Sequence, residues 1–338
     1  MVRLKDIAKA AGVSVMTVSK VLRDAPDISA ATKARVKVLA QQMGYVPDTV
    51  ARGLRNRETK FFGLLISAAS NPIYARIIMA IEERAHELGY EIILGHTLNL
   101  AEREEAYIKR FLSRRIDGLF IAPVYRLGQT APVYEELARL KIPTVVLGHR
   151  ALFCQQFANV ETDDIAASYA ATKHLLDLGH KRIAFFTGAQ ASPAAQERYE
   201  GYRRALTEAK INLDDKLVFH AGSTIEEGAK AALQMLNESP NATAVQTVND
   251  LVAIGAANVF LDQGVRIPQD VSVMGYGNLL TSEYFRVPLT TVRQPKFRLG
   301  VAAMDLMTKL LRGEKVESQR LSAQIVVRSS TAAPKAEG

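Results

Sequence analysis

Val15, Met16, Ser19 and Lys20 stand at i, i+1, i+4 and i+5 of the run SVMTVSKVL. That spacing puts them on one face of a short helix. Two apolar side chains turned to water are a small liability unless the face meets a partner. The major groove of DNA is one. Its thymine methyl groups take Val15 and Met16, while Ser19 and Lys20 reach base edges or phosphates. The alternative is that Val15 and Met16 complete a small core.

Placing that face requires a scaffold, and the flanking residues describe one. Leu4, Ile7, Ala8 and Ala11 recur at helical spacing, Gly12 breaks the pattern, and Ser14 starts a second helix with Val18, Val21 and Leu22 inward. Two short helices around a tight Gly-containing turn predict a helix-turn-helix. A third helix follows, capped by Ser29 or Thr32, with Val36, Leu39, Ala40 and Met43 inward and Gly44 at its end. Lys33, Arg35 and Lys37 near its start suit phosphates. The stretch Tyr45 to Lys60 is too short and polar to hold a helix alone. Its stripe Val50, Ala51 and Leu54, beside Arg52, Arg55 and Arg57, needs a partner, such as a second copy of itself over DNA.

Charge agrees with this placement. Residues 1–60 carry 12 Lys/Arg against 5 Asp/Glu, and the other 278 residues carry 31 against 30. The basicity belongs to the N-terminal segment, as a nucleic-acid contact requires; a solvated charged face without a partner is the bland alternative. The chain has no run of eighteen apolar residues, so no membrane span is expected. Its N-terminus lacks the pattern of a signal peptide. One cysteine, Cys154, excludes an internal disulfide framework and a Cys-based zinc site. Together these favour a cytoplasmic protein.

Enzyme chemistry finds little support. There is no P-loop, no GxGxxG after the first strand FFGLLI, and no nucleophile-elbow serine. The six histidines are scattered without ligand spacing. His180 reads as a turn residue before a strand, and Cys154 as inert. No cofactor and no metal is expected.

From Phe61 onward short apolar runs alternate with amphipathic ones: FFGLLIS, EIILGH, GLFIA, TVVLG, then RIAFFTG, LVFH, AVQTV and VSVMGY as strands, with helices between. A last helix from about Lys296 to Leu311 and one final strand, LSAQIVV, close the chain; only its last residues, TAAPKAEG, look disordered. Continuous apolar strands in βαβ order predict parallel sheets covered on both faces. The pattern restarts after Val160, which suggests two lobes and a cleft. Ligands of such sheets bind beyond the carboxyl ends of the strands. Polar loops fall there: Ser67–Tyr74, Gly148–Arg150, Asp163–Asp164, Gly188–Arg198, Asn249–Asp250 and Tyr276–Asn278.

The strings LKDIAKAAGVSVMTVSKVL and GYVPDTVARGLRNRETKFFGLLI resemble the signature of the lactose-repressor family of bacterial transcription regulators. The likeness continues through NPIYARIIMAIEERAHELGY, RRIDGLFIAP, IPTVVLGHR, HLLDLGHKRIAFFTG, ERYEGYRRAL, IPQDVSVMGY and PLTTVRQP. The resemblance implies an α/β chain: an all-α helix-turn-helix module over residues 1–46, a hinge helix and linker over 47–60, and a two-lobed body like periplasmic binding proteins over 61–338. Its N-lobe would hold about 61–161 and 293–320, its C-lobe about 162–292 and 321–330. It also implies double-stranded operator DNA as a partner, touched by Leu4, Ser14, Val15, Met16, Thr17, Ser19, Lys20, Arg23, Val50, Ala51, Leu54 and Arg55. Residues 48–57 would fold on the operator, and Leu54 would wedge into its central minor-groove step.

For the body the resemblance implies a small effector, a sugar, sugar acid or sugar phosphate, held by Ile73, Tyr74, His149, Asp163, Ser192, Arg198, Ser223, Asn249, Asp250 and Gly277. Carboxylates beside an arginine suit a polyol, whose hydroxyls both donate and accept. Two bland readings compete: Asp163 or Asp164 caps the following helix, and Arg198 pairs with Glu197 or Glu200 on the surface. This chain departs from the family at Gly277 and Gly148, where aspartate is usual. Fewer acids beside His149 and Arg150 point to an anionic effector. A homodimer is expected, since the tail offers no tetramerising heptads. A sugar-binding receptor and a regulator gated by a partner protein are the other readings.

Overall fold

The computed structural model describes residues 2–45, 58–128 and 130–335, in two compact units, Met1–Thr59 and Lys60–Gly338. Expectations for Val50, Ala51, Leu54 and Arg55 lie outside the described residues.

The first unit holds three helices, α1 (Leu4–Ala11), α2 (Val15–Val21) and α3 (Ala30–Gln42). Asp6 accepts from the Arg3 N–H at 2.9 Å and so caps α1. Gly12, at φ 63°, ends that helix in the left-handed region that a side chain resists. Three residues then suffice to turn into α2, whose cap Ser14 accepts from the Thr17 N–H at 3.0 Å. Ser29 caps α3. Ile7, Ala8, Ala11, Val18, Val21, Val36 and Ala40 form the core. Val15 and Met16 are not in it: they are 45% and 69% exposed.

The second unit contains two six-stranded sheets. In the N-lobe sheet the order is β2 (Glu91–His96), β1 (Phe61–Ile66), β3 (Gly118–Ile121), β4 (Thr144–Leu147), β5 (Ala158–Thr162) and β11 (Gln319–Leu321), all parallel. Helices α4 (Ile73–Glu87) and α12 (Lys296–Leu311) cover one face; α5 (Ala101–Ser113) and α6 (Pro132–Arg139) cover the other. Apolar strands follow from burial on both faces. In the C-lobe the order is β7 (Val218–His220), β6 (Ile183–Thr187), β8 (Ala244–Thr247), β9 (Ser272–Gly277), β10 (Thr290–Arg293) and β12 (Gln324–Val326). Here α7 (Asp164–Asp177) and α8 (Pro193–Glu208) lie on one face, α9 (Ile225–Glu238) and α10 (Asp250–Asp262) on the other. The short α11 (Leu280–Glu283) follows β9.

Three expectations need correction. The second sheet is not wholly parallel, because β12 runs antiparallel to β10. The single last strand is two: β11 belongs to one lobe and β12 to the other, with Ser322 and Ala323 between. The tail is held as far as Lys335: His180 Nε2 meets the Ala332 carbonyl at 2.8 Å, its Nδ1 meets the Thr243 hydroxyl at 2.8 Å, and Lys335 pairs with Asp270. His180 stands in the turn between α7 and β6, as expected, and is also a buried clamp on the tail; burial lowers its pKa.

The chain passes between lobes after β5, after β10 and after β11. These strands are cross-tied: Gln294 donates to the Thr162 hydroxyl at 3.2 Å, and the Asp163 N–H donates to the Leu321 carbonyl at 2.9 Å. No described helix is long and apolar enough to cross a membrane.

Candidate functional site

On the first unit, α2 presents Val15 and Met16 outward and buries Val18 and Val21 behind them. Thr17 pairs its hydroxyl with that of Ser14 at 2.9 Å. Arg23 donates to the Ser19 carbonyl at 2.9 Å. Leu4 packs half-buried against the core. Lys20, expected at base edges or phosphates, pairs with Asp27. Lys33 and Lys37 both pair with Asp24, at 3.4 and 3.1 Å. Asp24 and Asp27 thus stand in for anions at three lysines, and these side chains hold their carboxyls below the usual range.

In the second unit, side chains from both lobes meet. His149 follows β4 in the N-lobe and is 6% exposed. Its Nε2 lies 3.0 Å from Glu197 on α8, 3.7 Å from Asp164 at the start of α7 and 3.9 Å from Glu161 on β5. The Tyr125 hydroxyl donates to the His149 carbonyl at 2.7 Å. Arg198 donates to Asp164 at 3.2 Å and to the Val248 carbonyl at 2.7 Å, and it lies 3.9 Å from the centre of the Tyr276 ring. The Tyr276 hydroxyl donates to Asp164. Arg320 on β11 binds Glu161 at 2.9 Å and also binds Glu197.

The electrostatics follow from this arrangement. Burial by itself lowers the His149 pKa, but its hydrogen bond to Glu197 and the charges of Asp164, Glu161 and Glu197 outweigh it and raise the value. Burial raises Glu197, yet His149 and Arg320 outweigh that and hold its carboxyl low. Burial pushes Tyr276 well up, assisted by Asp164.

Several expected contacts have other duties. Asp163 caps α7, accepting from the Ala166 N–H at 3.1 Å; the buried carboxylate is its neighbour Asp164. Arg198 pairs with Asp164, not with Glu197 or Glu200. Ser192 caps α8, and Asn249 caps α10 while donating to the Ser223 carbonyl at 3.1 Å. Asp250 is wholly buried and accepts from the Leu279 N–H, the Ser282 hydroxyl and the Thr291 hydroxyl at 2.8, 2.7 and 2.6 Å. Gly277 gives its carbonyl to Lys296 at 2.6 Å. Ile73 and Tyr74 are half-buried at the start of α4, and burial raises the Tyr74 pKa. Arg150 turns away and binds the Gln155 carbonyl.

The case for an anionic effector weakens here. It rested on missing acids at positions 148 and 277, but Glu161, Asp164 and Glu197 supply three carboxylates around His149. Sequence reasoning missed Glu161, Arg320 and Tyr125; Glu197 and Tyr276 fell within the expected cleft loops without being singled out as contacts. The order TDD after an apolar strand pointed to a carboxylate, but its partners Arg198 and Tyr276 lie 34 and 112 positions from Asp164. Cys154 is buried and its thiol is pushed up to about 11 by burial, consistent with an inert residue. Among the described residues no group of histidine, cysteine and carboxylate side chains could hold a metal ion.

A three-helix module with an outward recognition face, joined to a body of two α/β lobes that meet over a polar cluster, defines a ligand-responsive DNA-binding regulator. Comparison with known proteins gives the family. Residues 3–48 match the model of bacterial regulatory proteins of the lacI family, and residues 59–330 match periplasmic binding proteins and the sugar-binding domain of the LacI family. The chain belongs to the LacI family of transcription regulators. It is 32% identical over 337 residues to the HTH-type transcriptional repressor PurR of Vibrio atlanticus (strain LGP32), covering 98% of each chain. The PurR of Pasteurella multocida (strain Pm70) is 31% identical over 338 residues, again 98% of each. Among solved structures, the lac repressor dimer bound to operator and the anti-inducer ONPF aligns with TM-score 0.87 at 29% identity, covering 98% of this chain and 99% of that one. The regulator CelR in complex with cellobiose aligns with TM-score 0.73 at 30% identity, covering 98% and 100%.

Proposed function

We propose that this regulator binds a near-palindromic operator as a homodimer and represses from it, under control of a small neutral carbohydrate-type effector in the interlobe cleft. The operator reading rests on the outward Val15 and Met16 of α2 and on the basic N-terminal segment. Domain limits at about 46, 60 and 338 follow the same reading, as do Leu54 as a minor-groove wedge and Val50, Ala51 and Arg55 as its flanks.

The observation that carries the effector reading is the polar set at the lobe contact. Carboxylates from Glu161, Asp164 and Glu197 alternate there with His149, Arg198 and Arg320. Hydroxyl groups both donate and accept, so a polyol can engage such a set in either direction. Titration calorimetry with a matched hexose and its uronate tests this reading. It predicts binding of the neutral sugar; tight binding of the uronate with none of the hexose would overturn it. The likeness to a cellobiose complex supports the same class.

A further inference from the structure

Effector contacts in a two-lobed body are expected to bridge the lobes. In this chain side chains of the two lobes also meet each other directly. Glu197 stands on α8 of the C-lobe, and two cations from the N-lobe converge on its carboxylate. His149 Nε2 is 3.0 Å from Oε2, and the Arg320 guanidinium binds Oε1. Both carboxylate oxygens are therefore taken by the opposite lobe. His149 is nearly enclosed and Glu197 about three-quarters so, so water screens the contact less than it screens a surface pair. Asp164 adds a second cross-lobe contact at 3.7 Å from His149.

We propose that Glu197 is a built-in occupant of the interlobe cleft: its carboxylate closes the lobes on each other through His149 and Arg320, and an entering effector must displace it. This inference rests on the effector reading above and adds its regulation. The effector-free body then populates the closed arrangement by itself. An effector gains by offering acceptor oxygens that replace those of Glu197 at His149 and Arg320, so Glu197 also sets which ligands succeed.

The closure depends on protonation in a definite direction. The groups facing His149 are Glu197 from α8, Asp164 from α7 and Glu161 from β5, with Tyr125 on its carbonyl and Arg320 and Arg198 on the same carboxylates. The His149 pKa is raised. Its share of the closure is thus fully present below the ordinary histidine value of about 6.5 and disappears as pH rises through the folded value. Glu197 is held low and stays ionised across that range. The Arg320 contact to Glu197 persists at every such pH, so high pH weakens the closure without abolishing it.

Single-molecule energy transfer in the full chain tests the proposal. Dyes on cysteines introduced at the exposed positions Glu83 of α4 and Lys230 of α9 report lobe separation, and Cys154 is buried away from labelling. Labelled protein is diluted with unlabelled chain so that each dimer carries one pair. Without effector, the wild type is expected to be mostly closed at about pH 6 and less so at about pH 9. Glu197→Gln should lower the closed-to-open ratio about tenfold and reduce its pH dependence, leaving the smaller share that the Asp164 contact to His149 carries. His149→Gln should give an intermediate ratio, flat with pH. Thermal melts establish that each variant is folded. A folded Glu197→Gln with wild-type lobe separation at both pH values overturns the proposal. Operator binding and sugar titration of the same proteins keep the two readings separate. If no neutral sugar binds either protein but Glu197→Gln opens the lobes, the effector class fails and the built-in occupant stands.

Discussion

Asp250 offers the sharpest separation between a ligand contact and a structural pin. Its carboxylate sits at the start of α10, wholly buried, and all three of its hydrogen bonds go to the chain itself: Thr291 on β10 and, beyond β9, Leu279 and Ser282. The site is shaped for it, because a Cβ on Gly275 would lie 2.3 Å from Oδ1. Lys296 depends on its charge: burial and the nearby Arg76 and Arg293 lower the lysine pKa, and Asp250 opposes them. Asp250→Ala leaves the Leu279 N–H without an acceptor, two hydroxyls to find new partners, and Lys296 uncompensated. Each orphaned buried group costs about 1–3 kcal/mol. With partial relaxation we expect about 3–5 kcal/mol in all, as for other broken buried charges. Urea unfolding of the full chain, followed by circular dichroism, reads this directly. Ser282→Ala, which removes one donor, should cost about 1 kcal/mol. A stability within about 0.5 kcal/mol of wild type, together with lost sugar binding, would make Asp250 a ligand contact and refute the pin.

Other outcomes follow from the same structure. Exchanging Val15 and Met16 should change the preferred operator sequence in a binding selection while leaving the salt dependence of affinity as it was; an altered salt slope would place these residues on phosphates instead. Asp27→Asn frees Lys20 from its pairing partner and should raise operator affinity at low salt by about threefold, in line with exposed ion pairs; unchanged affinity would show that Lys20 makes no DNA contact. Glu104 on α5 is buried and accepts from the Val124 N–H, the Tyr134 hydroxyl and Arg126 at 2.7, 2.7 and 2.8 Å. Glu104→Ala should therefore destabilise the body by about 3 kcal/mol in the same unfolding assay, and a loss under about 1 kcal/mol would contradict this.

Local patterns were legible and long-range ones were not. Ile7, Ala8, Ala11, Val18 and Val21 are buried because helical spacing alone puts them together, and Gly12 ends α1 because few other residues accept its backbone angles. The strands were readable because burial on both faces demands continuous apolar runs. Charged residues that make long-range contacts gave no such signal. Glu104, Glu161, Glu197 and Arg320 look like surface residues in their own segments, and each finds its partners through the fold; Arg320 reaches Glu197 across 123 positions. Asp163 and Asp164 are adjacent and alike in sequence, and only helix geometry decides which one caps and which one is buried. The consecutive strands β11 and β12 read as one because the change of lobe at Ser322 and Ala323 involves neither proline nor glycine.

On the proposed function, operator and effector are coupled through one homodimer. The most direct measurement is operator affinity with and without a neutral sugar, using DNA selected by the full-length protein from a random pool. The account predicts a two-fold symmetric footprint and a sugar that shifts operator affinity by about 5- to 150-fold, with the reciprocal shift in sugar affinity when operator is present. Sequence-specific binding that no neutral sugar alters, or a sugar that binds equally well with and without operator, would contradict it.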